Sequence, residues 1–112
     1  MGFDLKPRNR KVDWFHCNIY GYLFLMATVG SGRAIGLEHF ENGGYTYIPD
    51  RNGYDPVCND GYYVTAGQAR DMADIVDKWL CNQDSADFDQ HRIAHAVLFR
   101  DWLRECSGYW VY

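Results

Sequence analysis

The stretch Tyr62-Tyr63-Val64-Thr65-Ala66-Gly67-Gln68 decides the fold, because it sets a short β-prone run directly against a helix start. Thr65 and Gln68 stand at capping-box spacing. The Thr hydroxyl accepts from the backbone three residues on, while the Gln side chain reaches back to the Thr N–H. Beyond it, Ala69, Met72, Ala73, Val76, Trp79 and Leu80 recur at i, i+3 and i+4, the period of a helix with one buried face. Asp71, Asp74, Asp77 and Lys78 fall on the watered side, and the helix is expected to end near Asn82.

Downstream, the polar stretch Gln83 to Gln90 leads to a last helix over about His91–Cys106. Its apolar arc is Ala96, Phe99, Leu103 and Cys106. Gly108 is the expected C′ residue, since glycine takes the left-handed backbone that ends a helix. Tyr109-Trp110-Val111-Tyr112 is β-prone and is expected to add a strand.

Upstream, Pro49 to Gly61 reads as loop, with turn chemistry at Asp50-Arg51-Asn52-Gly53, Asp55-Pro56 and Asn59-Asp60-Gly61. Asn42-Gly43-Gly44 followed by Tyr45-Thr46-Tyr47-Ile48 predicts a hairpin. Asp13 is expected to cap a buried helix from Trp14 or Phe15 to Val29, stopped by Gly30-Ser31-Gly32. Gly2-Phe3-Asp4-Leu5 reads as an extended piece that joins a sheet. The sum is one α+β domain over residues 1–112: a small antiparallel sheet, made of the hairpin plus terminal strands, packed against about three helices.

Composition narrows the function classes. Hydrophobic residues at 47% and charged ones at 23% give an ordinary globular balance, whereas aromatics reach 17%. Tyr and Trp combine large apolar area with a polar tip, so the excess serves either a core or a binding surface. A net charge of -4 disfavours direct nucleic-acid binding. The basic run Lys6 to Lys11 reads as a solvated arm. Ile19 to Val29, the longest apolar stretch, is about half of what a bilayer span needs. With no secretory leader pattern at the start, the expected compartment is the cytoplasm, with no membrane partner. Cys17, Cys58, Cys81 and Cys106 lack any Cys-x-x-Cys pair and read as small buried hydrophobes rather than a disulfide framework.

The chemical constellations are thin. His91 and His95 lie one helical turn apart and can reach a shared metal, but a zinc site wants further ligands and Arg92 stands between them. They read instead as partly exposed histidines. Cys17 lacks a well-aimed base, since its neighbour His16 points elsewhere on a helix and His39 is separate. Asp55, Asn59 and Asp60 resemble hard-cation ligands yet match no EF-hand spacing, so turn formation is the better reading. Asp71, Asp74 and Asp77, with Asp84, Asp87 and Asp89, form an acidic group best read as solvated. No phosphate loop or nucleophile elbow is present, so no motif compels an enzyme and no cofactor is implied.

The opening Met1-Gly2-Phe3-Asp4-Leu5, the aromatic first helix and the Asn59-Asp60-Gly61 loop before Thr65 form a recognisable set with the ending Phe99-Arg100-Asp101-Trp102-Leu103-Arg104-Glu105-Cys106-Ser107-Gly108-Tyr109. Together they resemble a group of small phage, prophage and bacterial proteins of unknown function. Those share a Met-Gly-Phe-Asp start, an Asn-Asp-Gly loop and a closing Ser/Cys-Gly-Gly-Phe-type turn. This chain departs from them at Ser107-Gly108-Tyr109 and in a hairpin-like insertion around Gly43. The resemblance implies a phage-type accessory protein, of the kind that binds and blocks a host protein such as a CRISPR-type defence component.

The leading expectation is therefore a non-enzymatic inhibitor with an aromatic surface and an acidic rim. Tyr45, Tyr47, Tyr54, Tyr62 and Tyr63 would be the anchors, with Asp71, Asp74 and Asp77 as rim charges. The alternatives are a small-ligand pocket that sequesters or processes a nucleotide, built from Asp4, Asn59 and Asp60, and a structural or oligomeric phage protein.

Overall fold

The computed structural model describes residues 2–39, 44–82 and 89–112. Its centre is a four-stranded antiparallel sheet in the order β2-β1-β6-β5, with β1 at Gly2–Pro7, β2 at Phe15–Asn18, β5 at Tyr62–Val64 and β6 at Tyr109–Val111. The two ends of the chain thus pair as neighbours, Leu5 opposite Val111 and Lys6 opposite Trp110. Alternation along each strand turns Phe3, Leu5, Tyr62, Val64, Tyr109 and Val111 to one face, all within 1% of complete burial.

Helices α2 (Ala66–Asn82) and α3 (Gln90–Glu105) cover that inner face. Both capping-box bonds form: Gln68 N–H donates to the Thr65 hydroxyl at 3.1 Å, and Thr65 N–H donates to the Gln68 side chain at 2.9 Å. Ala69, Met72, Ala73 and Val76 are buried, with Met72 Sδ receiving the Tyr109 hydroxyl at 3.2 Å. In α3, Ala96, Phe99, Trp102 and Leu103 point inward, and Phe15 packs on both Phe99 and Trp102. The turn after α3 uses two left-handed residues. The C′ position belongs to Ser107 (φ 59) and Gly108 follows it (φ 97), where a Cβ would meet the Val64 carbonyl at 2.8 Å.

The first helix differs from its sequence reading. Phe15–Asn18 is an edge strand paired with β1, and Asp13 caps nothing; its carbonyl instead accepts the Trp102 indole N–H at 2.7 Å. Asn18 is the true cap, its side chain accepting from Gly21 N–H at 2.7 Å at the start of α1 (Ile19–Leu23). A wider π turn, Phe24–Thr28, continues α1, and left-handed Gly30 ends it before a 3-10 turn over Ser31–Ile35. The predicted hairpin is a separate two-stranded sheet, β3 (Glu38–His39) with β4 (Tyr45–Thr46), rather than part of the main one. Its turn at Asn42-Gly43 lies outside the described residues, as do residues 83–88 with Asp84 and Asp87. Among the described residues no helix is long and apolar enough to cross a membrane.

Candidate functional site

The outer face of the sheet carries the side chains that alternation turns away from the core. Lys6 of β1 sits between two indoles, its Nζ 5.8 Å from the Trp14 ring centre and 5.9 Å from that of Trp110. Trp110 packs on Tyr63 at 5.1 Å, and the Arg51 guanidinium lies 4.9 Å over the Tyr63 ring. The Tyr63 hydroxyl also receives Arg8 at 3.4 Å. Cations and rings therefore form one row, Trp14, Lys6, Trp110, Tyr63, Arg51, that runs from just before β2 over β1, β6 and β5 to the loop ahead of β5. Each cation is drawn to the negative face of its ring.

A second row runs beside it. Asp4 pairs with His16 at 2.7 Å across β1 and β2, and its backbone exchanges both hydrogen bonds with Tyr112. Both partners of that contact are more than half exposed, so water screens it and it adds little stability. Trp14 stacks between His16 and Tyr112, with ring centres 6.4 Å and 6.2 Å away. Trp14 is 45% exposed and Tyr112 41%, well above the usual exposure of such large rings.

The loop before β5 is locked to this face through Asp50. Its carboxylate accepts Asn52 N–H and Tyr54 N–H at 2.9 Å and Tyr63 N–H at 2.8 Å. Burial alone would push the Asp50 carboxyl up. The three N–H groups and the charge of Arg51 outweigh it and hold the group below the ordinary carboxylate range. Asp50 thereby fixes where Arg51 stands over Tyr63.

The structure redistributes the residues singled out from sequence. Tyr62 is buried and its hydroxyl donates to the Ile48 carbonyl at 2.6 Å, so it is no surface anchor. Tyr45 and Tyr47 pack against the core, and the Tyr45 hydroxyl donates to Asp55, a bond that with burial pushes its pKa up to about 12. Of the five tyrosines only Tyr63 belongs to the outer sheet face, while Tyr54 is exposed on the preceding loop. Asp71 and Asp74 are exposed on α2, which covers the opposite side of the sheet, and Asp77 binds Arg100 at 2.9 Å and Arg104 at 3.7 Å. The aromatic surface is consequently bordered by Lys6, Arg8 and Arg51, not by those acids.

Asp4, Asn59 and Asp60 make separate contacts rather than one pocket wall. Asp4 faces outward to His16, Asn59 donates to the Gly2 carbonyl at 2.6 Å, and Asp60 is exposed. Asp55 accepts Val57 N–H at 2.7 Å, the expected turn chemistry. The basic N-terminal run is no loose arm, because Arg8 N–H and Asn9 N–H donate to the Gly108 and Cys106 carbonyls at 2.9 Å.

No activated nucleophile emerges from the cysteines whose environment is defined. Burial and the Asp4 charge push the Cys17 thiol up to about 12, and burial pushes Cys106 up to about 11, so both stay protonated at neutral pH. His16 and Cys17 are strand neighbours and point to opposite faces. Cys58 and Cys81 are exposed, contrary to the expectation of four buried thiols. Among the described residues no three His, Cys, Asp or Glu side chains gather as a metal set.

Sequence reasoning missed Trp14, Lys6, Trp110 and Tyr112. A signal was present in the alternation of Phe3, Leu5 and Pro7 with Asp4 and Lys6, which assigns the latter pair to an outer face. No protein-family profile, curated protein or solved structure matches this chain.

Proposed function

We propose that the chain is a non-catalytic binding module that contacts a partner protein through the outer face of its sheet. The observation that carries this reading is the row formed by exposed Trp14 and half-buried Trp110 and Tyr63, flanked by Lys6 and Arg51. Large rings with few rotatable bonds and flanking cations are the side chains that dominate binding energy once water is excluded. The charge of the face favours a partner whose own apolar patch is bordered by acids. The resemblance to small phage and prophage proteins adds the biological setting: inhibition of a host protein, of the kind that CRISPR-type defence components represent.

Trp14 and Tyr112 are exposed enough to be replaced without emptying the core, so the double variant Trp14→Ala/Tyr112→Ala isolates the surface. Immobilised chain is incubated with bacterial lysate, with and without nuclease treatment, and the affinity of the captured protein is then measured with both forms. The variant is expected to bind at least about tenfold more weakly. Equal affinity sinks the reading, and so does capture that vanishes on nuclease treatment, which would make the partner a nucleic acid.

A further inference from the structure

A second feature lies on the inner side of β2, where α1 meets the first half of α3. A cleft of about 320 Å³ opens there between Tyr20, Gly21 and Phe24 on one wall and His91, Arg92 and His95 on the other. Its charge is one-sided. Arg92 stacks over the Phe24 ring at 5.5 Å, and among the described residues it has no ion pair and no carboxylate lines the cleft. Asp89, at the start of α3, turns its carboxylate to the His91 backbone N–H at 2.8 Å. A guanidinium with no ion pair among the described residues, beside an imidazole, is a ready partner for an anion, and the flat fork of Arg suits two oxygens at once.

The floor of the cleft is unfinished in the same place. His95 Nε2 is buried and has no hydrogen-bond partner among the described residues, a condition that costs free energy in a protein interior. In front of it stands Gly21, where a Cβ would lie 3.2 Å from Nε2 and 3.3 Å from the Asn18 side-chain oxygen. Glycine thus leaves room next to an unsatisfied nitrogen. Burial holds the His95 pKa below its usual value, so the ring is neutral at pH 7 and Nε2 can accept or donate according to its tautomer. Tyr20, 80% exposed, puts a flat ring at the mouth.

We propose that this cleft binds a small anion carrying a flat heteroaromatic ring, of the nucleoside monophosphate class. The phosphate is held by Arg92 and His91, the base lies against Tyr20, and a polar edge atom satisfies His95 Nε2. Tyr20 supplies a stacking surface, the guanidinium supplies charge, and the imidazole supplies the hydrogen bond that discriminates one ring edge from another. This site is independent of the sheet face, and failure of either leaves the other intact.

The test is a calorimetric titration of the purified chain with the four ribonucleoside monophosphates, with adenosine, inorganic phosphate and benzoate as controls. At least one monophosphate is expected to bind, more tightly than adenosine or phosphate alone. Arg92→Gln, at an exposed position that the fold does not need, is expected to weaken it about tenfold or more. Gly21→Ala should do the same by filling the space before His95, and the His95 imidazole NMR signals should move on saturation of the unmodified chain. No binding of any monophosphate at millimolar concentration overturns the proposal, as does unchanged affinity in Arg92→Gln. Benzoate binding as tightly as the best monophosphate overturns the nucleotide assignment.

Discussion

Two groups of aromatic residues in the molecule obey different rules. Around the loop from Pro49 to Gly61, Tyr22, Tyr45 and Tyr62 face inward, and their hydroxyls donate to the Pro56 carbonyl at 2.6 Å, to Asp55 and to the Ile48 carbonyl at 2.6 Å. A long loop without regular structure leaves backbone carbonyls that need donors, and the phenols supply them from within. On the outer sheet face, Trp14, Trp110, Tyr63 and Tyr112 are held by cations and by one another, with water on one side. One group closes the structure; the other is left open.

Tyrosine content alone therefore says little about where a binding surface lies. What separates the regions is whether the polar tip of the ring finds an acceptor inside the protein, backbone carbonyl or carboxylate. Burial pushes the Tyr62 phenol up to about 12, the mark of a group committed to the interior. Trp14 and Tyr112 stay exposed to water instead.

The sharpest way to break this contrast is Tyr62→Ala. Removing a fully buried ring is expected to cost about 3–5 kcal/mol in urea unfolding, as for other large-to-small core changes. Tyr22→Phe comes next. It keeps the stack on Phe3 at 4.0 Å but strips the Pro56 carbonyl of its donor, for an expected loss of about 1–3 kcal/mol. Trp14→Ala is expected to cost about 1 kcal/mol or less, because the ring is nearly half exposed and its lysine contact is weak in water. A loss at Trp14 equal to that at Tyr62 would erase the distinction between the two regions.

The smallest effect is a pH dependence at the seam between them. Asp50 has a lowered pKa in the folded state, so the stability it contributes is complete above the ordinary carboxylate value of 3.8. That stability is lost as pH falls through the lowered folded value. Asp50→Asn is expected to flatten the acid limb of a thermal-melt series below pH 4. An unchanged acid limb would show that Asp50 does not hold the loop to β5.

The legible parts of the chain were those whose signals are local. Thr65 and Gln68 form their capping box because the four residues involved need nothing else, and the α2 face follows from the spacing of Ala69, Met72, Ala73 and Val76. The segment from Trp14 to Asn18 was misread as helix. Its apolar residues suit a buried helix, but four backbone pairings with β1 draw Phe15 to Asn18 into a strand, and the cap moves to Asn18. The candidate surface was missed for the same cause, since Trp14 joins Lys6 and Trp110 only once β2 and β6 flank β1.

Sequence by itself determined the α+β class, the buried face of α2, the long loop and the terminal strand, all of them signalled by residue types and spacings within a few positions of one another. Tertiary structure alone decided which rings face water, which cations stand over them, and that a glycine in α1 lies against an unpaired imidazole in α3. Those arrangements depend on strand order and helix packing between residues far apart in the chain. Periodicity cannot encode them, because it records only which side of an element is buried and not which element lies beside it.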